Sequence, residues 1–121
     1  MTIVNTILLV LIALEFLFIF YLETIATQSG LTARTFAMEQ EELKRPAVNL
    51  LFKNQGVYNA LIAVLLLVTR FALRSRSAVL LLLGYIILVA VYGGVSSQPK
   101  LILKQGGLAI LAFILILMFG L

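Results

Sequence analysis

Four long apolar stretches divide this chain of 121 residues, and no other feature limits its fold as strongly. A helix needs about 20 mostly apolar residues to cross the hydrocarbon core of a bilayer. Backbone N–H and C=O groups must pair inside the structure there, and without any alternating strand pattern only helices satisfy them. We therefore predict an all-α integral membrane protein, a four-transmembrane-helix bundle. The predicted helices are about 3–26, 50–73, 78–95 and 101–121, in a single membrane domain over residues 1–121.

The composition supports a membrane location and excludes several kinds of site. Hydrophobic residues make up 63% of the chain and the mean hydropathy is +1.16, which a soluble domain of this size cannot bury. The chain has no Cys, His or Asp. Disulfides, the usual zinc and haem ligands and a Ser-His-Asp triad are therefore absent, and we expect no metal and no cofactor. Basic residues flank the apolar stretches without forming a continuous stripe, so we expect no nucleic-acid partner.

The polar segments set the expected topology. Residues 27–49 form a polar loop in which Leu31–Leu43 is predicted to form a short surface helix and Pro46 to end or bend any helix. The two later connections are short, so neighbouring spans should be antiparallel. The first stretch lacks a basic leader and a cleavage site, which favours a retained helix in the cytoplasmic membrane. The distribution of Lys and Arg over the loops leaves both orientations open.

Polar side chains inside the spans are expected to concentrate in one half of the bilayer. In an antiparallel bundle, the ends of the first and third spans lie on the same side as the starts of the second and fourth. An unpaired polar group in hydrocarbon costs several kcal/mol, so such groups should face inward and form one pocket. The candidate ligand-binding or coupling residues are Glu15, Glu23, Asn54, Gln55, Tyr58, Asn59, Tyr92 and Gln105, and no catalytic residue is assigned.

Glu15 is the most informative of these residues. It lies near the middle of its span, where an acidic residue costs about 2.5–3.5 kcal/mol on insertion scales. Two interpretations follow. The carboxyl group binds a proton or a cation, or it is a neutral group that hydrogen-bonds a neighbouring helix. A similar choice applies to the polar cluster of the second span, which consists of Asn54, Gln55, Tyr58 and Asn59. These side chains suit either a ligand's hydrogen-bonding shell or contacts between helices.

Several short motifs run through these positions. They are Leu14-Glu15 and Leu22-Glu23, the hexapeptide Asn54-Gln55-Gly56-Val57-Tyr58-Asn59, Tyr92-Gly93, and Lys100 followed by Gln105. In these motifs the chain resembles a family of small bacterial four-helix membrane proteins catalogued as a domain of unknown function. Members often have His after the first Glu, whereas Phe16 stands here. The resemblance implies the architecture and the polar residue set, and no activity.

Three functions are compatible with this pattern. The first is a small transporter of small or lipophilic molecules with Glu15 as the coupling carboxylate, similar in size and helix number to small multidrug transporters and expected to work as a homodimer. The second is a membrane-embedded lipid-binding protein or enzyme; no nucleophile or redox partner is visible, which weighs against an enzyme. The third is an accessory subunit of a membrane complex. Expected partners are membrane lipid, a lipophilic or cationic small molecule and a second copy of the chain.

Overall fold

Helices are the only regular elements in the computed structural model, which describes residues 2–97 and 99–120. They are α1 (Thr2–Phe20), α2 (Gly30–Thr35), α3 (Gln40–Leu43), α4 (Pro46–Leu67), α5 (Arg76–Ser96) and α6 (Lys100–Phe119). A π-helical turn extends α1 over Tyr21–Ile25, and another extends α4 over Val68–Ala72. The expected end of the fourth span, Leu121, lies outside the described residues.

Four of the helices are long and apolar enough to cross a membrane. They cover Ile3–Ile25, Pro46–Ala72, Arg76–Ser96 and Ile102–Phe119, and their mean hydropathy is 2.7, 1.5, 2.5 and 2.2 in that order. Each has at least 18 residues, close to the length that spans a hydrocarbon core. The prediction of an all-α chain with four membrane-crossing helices is confirmed.

Two local expectations for the polar loop need correction. Pro46 begins α4 instead of ending a helix, because the first position of a helix needs no backbone N–H donor. The surface helix expected over 31–43 is two helices, α2 and α3. Between them Ala37 has a left-handed φ of 53°, and the Met38 N–H donates to Ala33 O at 2.9 Å. This hydrogen bond and the left-handed residue end α2 and change the direction of the chain before α3 begins.

The chain divides into two compact units, residues 1–13 with 64–121 and residues 14–63. In the first unit α5 and α6 pack as an antiparallel pair through small residues. Gly94 lies so close to Ile102 that a Cβ atom would overlap its side chain, and a Cβ on Gly106 would lie 3.0 Å from that of Ala90. Small residues let helices approach closely in lipid, where dispersion contacts drive association.

Polar contacts at one end of this unit hold the start of α1. The Asn5 amide, whose residue is 0% exposed, donates to Gly120 O at 2.6 Å. The Arg70 guanidinium donates from Nε and Nη2 to Thr6 Oγ1 at 3.0 and 2.9 Å. Both contacts satisfy polar groups close to the ends of membrane-crossing helices.

Two glycine substitutions should separate packing from helix propensity. Gly94→Ala and Gly107→Ala both gain about 1 kcal/mol of helix propensity. Only the first adds a methyl group where Ile102 stands, whereas a Cβ at Gly107 meets nothing within 4 Å. We expect Gly94→Ala to lower the thermal midpoint of unfolding in detergent by several degrees and Gly107→Ala to leave it unchanged or raise it. Equal midpoints, followed by circular dichroism, would contradict the described packing of α5 on α6.

Candidate functional site: a buried carboxyl at the end of the first helix

The second compact unit, residues 14–63, contains most of the polar groups expected in the membrane. Here the end of α1 lies against the first half of α4. The π-helical turn Tyr21–Ile25 closes with the Ala26 N–H donating to Tyr21 O at 2.8 Å. Such turns widen a helix by one residue and are frequent at functional sites. This turn carries Glu23, which is buried.

Gly56 allows the two helices to approach closely. A Cβ atom at this position would overlap Thr24 Oγ1 and lie 3.1 Å from Glu23 Cβ. The Thr24 hydroxyl instead donates to Lys53 O at 2.9 Å, one turn before Gly56 on α4. The glycine of the hexapeptide motif is therefore the contact point between the helices, since any larger residue would separate them.

Glu23 and Asn59 form the central polar contact of the unit. The Asn59 amide donates from Nδ2 to Glu23 Oε1 at 2.6 Å. Glu23 is 1% exposed and Asn59 is half-buried. The ion pairs in the described part of the chain are Lys44–Glu41 and Arg45–Glu42, both on the surface. Among the residues that the structure describes, the Glu23 carboxyl thus has a neutral amide as its partner and no cation within 4.0 Å.

The carbonyl groups that end α1 are satisfied by side chains. Thr32 Oγ1 donates to Leu22 O at 3.0 Å or to Ala26 O at 2.8 Å. Thr27 Oγ1 donates to Glu23 O at 2.7 Å, and Lys53 Nζ donates to Thr24 O at 3.1 Å. Unpaired carbonyls at a helix end are costly in hydrocarbon, and an ammonium group also complements the negative end of the helix dipole. The loop after α1 and Lys53 of α4 therefore fix the position of Glu23.

Three of the predicted site residues on α4 do not face inward. Asn54 and Gln55 are exposed, and Tyr58 is 65% exposed. The reason is helical phase: Asn54 and Tyr58 each lie two residues from Gly56, a rotation of about 200° that turns them away from α1. Asn59 lies only about 60° from Gly56 and therefore reaches Glu23. We expected all four polar residues of this part of α4 to face inward, and only Asn59 does.

Glu15 lies in the same unit, near the middle of the first span. Its side chain is half-buried, and its Oε1 atom is buried without a hydrogen-bond partner in the described residues. Phe16, in the place where the family pattern often has His, is buried at 6% exposure. An unsatisfied buried acceptor is rare in proteins and calls for a specific explanation, such as an ion or a proton that occupies it.

The remaining predicted site residues belong to the first unit. Tyr92, on α5, is 74% exposed, and Gln105, on α6, is half-buried. Their convergence with Glu23 on one pocket stays a prediction. Within residues 14–63, the structure brings together Glu23 and Asn59, and it adds contributors that the sequence did not single out. These are Thr24, Thr27, Thr32, Lys53 and Gly56.

Replacing Asn59 by Leu should destabilise the protein. The substitution leaves the buried Glu23 carboxyl without its partner, at a cost of about 1 kcal/mol. The double variant Glu23→Leu with Asn59→Leu should recover most of that loss, because both polar groups are then gone. Thermal unfolding in detergent measures both effects.

Asn54→Leu is the matched control for this prediction. It changes the same residue type on the same helix, but at an exposed position. It should leave the midpoint close to that of the wild type. If Asn59→Leu and Asn54→Leu had the same midpoint, the hydrogen bond to Glu23 would not contribute to stability.

Comparison with known proteins identifies a family of unknown function. The family described as "Protein of unknown function (DUF1304)" matches residues 10–117. A relative from Lactococcus lactis subsp. lactis (strain IL1403), named "Uncharacterized protein YpaA", is 56% identical over 115 residues, which cover 94% of this chain and 97% of the relative. No solved structure matches. The matched residues include both Leu-Glu motifs and the hexapeptide, and the chain belongs to the DUF1304 family of proteins of unknown function.

Proposed function

We propose that this protein is a small multi-pass transporter of the cytoplasmic membrane that exchanges protons for a lipophilic cation at Glu15. The observation that carries the proposal is the buried Glu15 Oε1 atom, which has no hydrogen-bond partner among the described residues and lies halfway along a membrane-crossing helix. An acidic group at this depth is a functional site by default, because its insertion is costly and a merely structural role would require a partner.

The proposed exchange of a proton for a cation is based on the ion pairs of the described residues, which leave Glu15 without a basic partner. Neither of the two ion pairs in the described residues involves Glu15. A bare carboxylate in hydrocarbon is unfavourable, so the group is neutral when it holds a proton or is neutralised by a bound cation. One site cannot hold both, and the competition couples the movement of the cation to that of the proton. Charge is conserved, since each bound cation replaces one proton.

Glu23 has a different role in this proposal. Its carboxyl already accepts a hydrogen bond from Asn59 and lies two residues from the end of its span. The contact fixes α1 against α4, while Gly56 permits their close approach. Glu23 and Asn59 therefore hold the helix that presents Glu15.

A lipophilic cation suits the surroundings of Glu15 better than a hydrated metal ion. The neighbouring residues Leu14, Phe16 and Leu17 are apolar, and the side chain is only half-buried. A delocalised organic cation can enter from the lipid without shedding a tight water shell, and apolar walls contribute to its binding. The proposed substrate class is therefore an organic cation with apolar substituents.

Binding of tetraphenylphosphonium to the purified protein tests this proposal. In the wild type the affinity should rise with pH, because the carboxyl group must lose its proton before it binds the cation. About one proton should be released for each cation bound. Glu15→Gln should weaken binding by at least about tenfold, the value of one charged contact, and should abolish the pH dependence. Isothermal titration calorimetry in buffers of different ionisation enthalpy measures affinity and proton release together.

Glu41→Gln is the control, because Glu41 is a surface carboxyl paired with Lys44. It should bind the cation as the wild type does. Glu23→Gln should retain the pH dependence, since the glutamine oxygen still accepts from Asn59. Unchanged affinity and proton release in Glu15→Gln would refute the exchange at Glu15.

A second candidate function is favoured by the exposed polar residues of α4. Asn54, Gln55 and Tyr58 are exposed although they lie within the span Pro46–Ala72. Polar side chains on such a surface are suited to hydrogen bonds with another helix, either of a second copy or of a larger membrane complex. If the protein is a subunit without transport activity, the wild type should bind no cation. If it is a homodimeric transporter, this surface joins the two copies and Glu15 binds the cation.

A further inference from the structure

A small polar cleft lies where the first membrane-crossing helix ends, within the unit of residues 14–63. Its volume is about 270 Å³, and residues 25–29 line it together with Asn49 and Lys53 of α4. Since liquid water takes about 30 Å³ per molecule, the cleft has room for a small ionic group and several waters. Glu15, Glu23 and Asn59 do not line it, so it is distinct from the proposed exchange site.

The cleft lies at the boundary between membrane and water. The first span ends at Ile25, and the cleft begins there. Lys53 is seven residues into α4, about 10 Å along the helix from its start. Its ammonium group contacts Thr24 O, which fixes it at the level of the end of α1. From the end of a span a lysine side chain can reach the level of the lipid head groups.

Hydrogen-bond donors without a partner in the described residues lie around the cleft. Lys53 Nζ donates to Thr24 O at 3.1 Å and to Thr27 Oγ1 at 3.5 Å, which leaves one of its three donors for a ligand. In the described part of the chain, the backbone N–H groups of Thr27 and Gln28 have no acceptor. Both residues line the cleft. An ammonium group with free backbone amides is the combination that binds anions.

The nearby charges do not offset this preference. Lys53 has no carboxylate within 4.0 Å among the described residues, since Glu41 and Glu42 pair with Lys44 and Arg45. The carbonyl groups of Glu23 and Thr24 already accept hydrogen bonds from side chains, and the Thr32 hydroxyl donates to the carbonyl of Leu22 or to that of Ala26. These hydrogen bonds reduce the negative potential at the end of α1. A cation in the cleft would be repelled by Lys53, and an anion would pair with it.

We propose that this cleft binds a phosphate group at the membrane surface. The chemistry is shared by the head group of an anionic phospholipid and by free phosphate. Basic side chains at a membrane boundary attract anionic lipids, and an ammonium donor with two amides matches the acceptor oxygens of one phosphate group. This inference stands independently of cation exchange at Glu15.

The test uses the full-length protein in an uncharged detergent. Short-chain phosphatidylglycerol, short-chain phosphatidylcholine and inorganic phosphate are titrated separately, and the unfolding midpoint is followed by circular dichroism because the chain has no Trp. Phosphatidylglycerol should stabilise the wild type and Lys44→Gln. Its apparent affinity for Lys53→Gln should be about tenfold weaker, the lower end of what a hydrogen bond between charged groups contributes. Glutamine keeps an N–H donor for Thr24 O, so this variant should fold.

A measurement on the wild type alone keeps the proposal testable if Lys53→Gln does not fold. Native mass spectrometry should show about tenfold preferential retention of phosphatidylglycerol over phosphatidylcholine. Stabilisation by inorganic phosphate equal to that by phosphatidylglycerol would support a site for free phosphate, and stabilisation by the lipid alone would support a lipid site. Equal affinity of phosphatidylglycerol for the wild type, Lys53→Gln and Lys44→Gln, or equal retention of both lipids, would overturn the proposal.

Discussion

Polar groups in hydrocarbon must find their hydrogen-bond partners within the protein, and this constraint governs the arrangement at the end of the first helix. The carbonyls of Tyr21, Glu23 and Thr24 each have a donor, which is a backbone amide, the Thr27 hydroxyl or the Lys53 ammonium group. The Thr32 hydroxyl donates to the carbonyl of Leu22 or to that of Ala26. The Glu23 carboxyl has the Asn59 amide. These contacts require α1 and α4 to lie almost against each other, and Gly56 provides the space. Replacing any one of them would leave a donor or acceptor without its partner in the protein.

Two buried side-chain atoms in the described residues are exceptions to this constraint, Asn5 Oδ1 and Glu15 Oε1. Asn5 already donates to Gly120 O and lies near a helix end, so its unpaired oxygen is a small local cost. Glu15 lies halfway along its span, and its carboxyl group becomes charged when it loses its proton. In the proposed exchange, the same missing partner has a larger consequence at Glu15, where a proton and a cation compete.

The four membrane-crossing helices could be predicted from the sequence because the requirement for about 20 apolar residues is so restrictive. The proximity of Glu23 and Asn59 could also be predicted, because the direction of the predicted spans places both residues in one half of the bilayer. The side of α4 that faces α1 could not be predicted from the sequence. In a largely apolar helix, the closest contact with its neighbour decides which side faces inward. That contact is Gly56, whose role depends on Thr24 and Glu23 of another helix. The two short helices of the loop depend on the left-handed φ of Ala37, a conformation that alanine does not signal.

The central claim is that the Glu15 carboxyl exchanges a proton for a cation. Infrared difference spectroscopy of the protein in lipid, recorded with and without tetraphenylphosphonium, observes that exchange at the carboxyl group itself. We expect the cation to remove a protonated carboxyl C=O band and to add a carboxylate band. Both changes should disappear in Glu15→Gln and persist in Glu23→Gln. A difference spectrum without carboxyl bands, or one unchanged in Glu15→Gln, would contradict it.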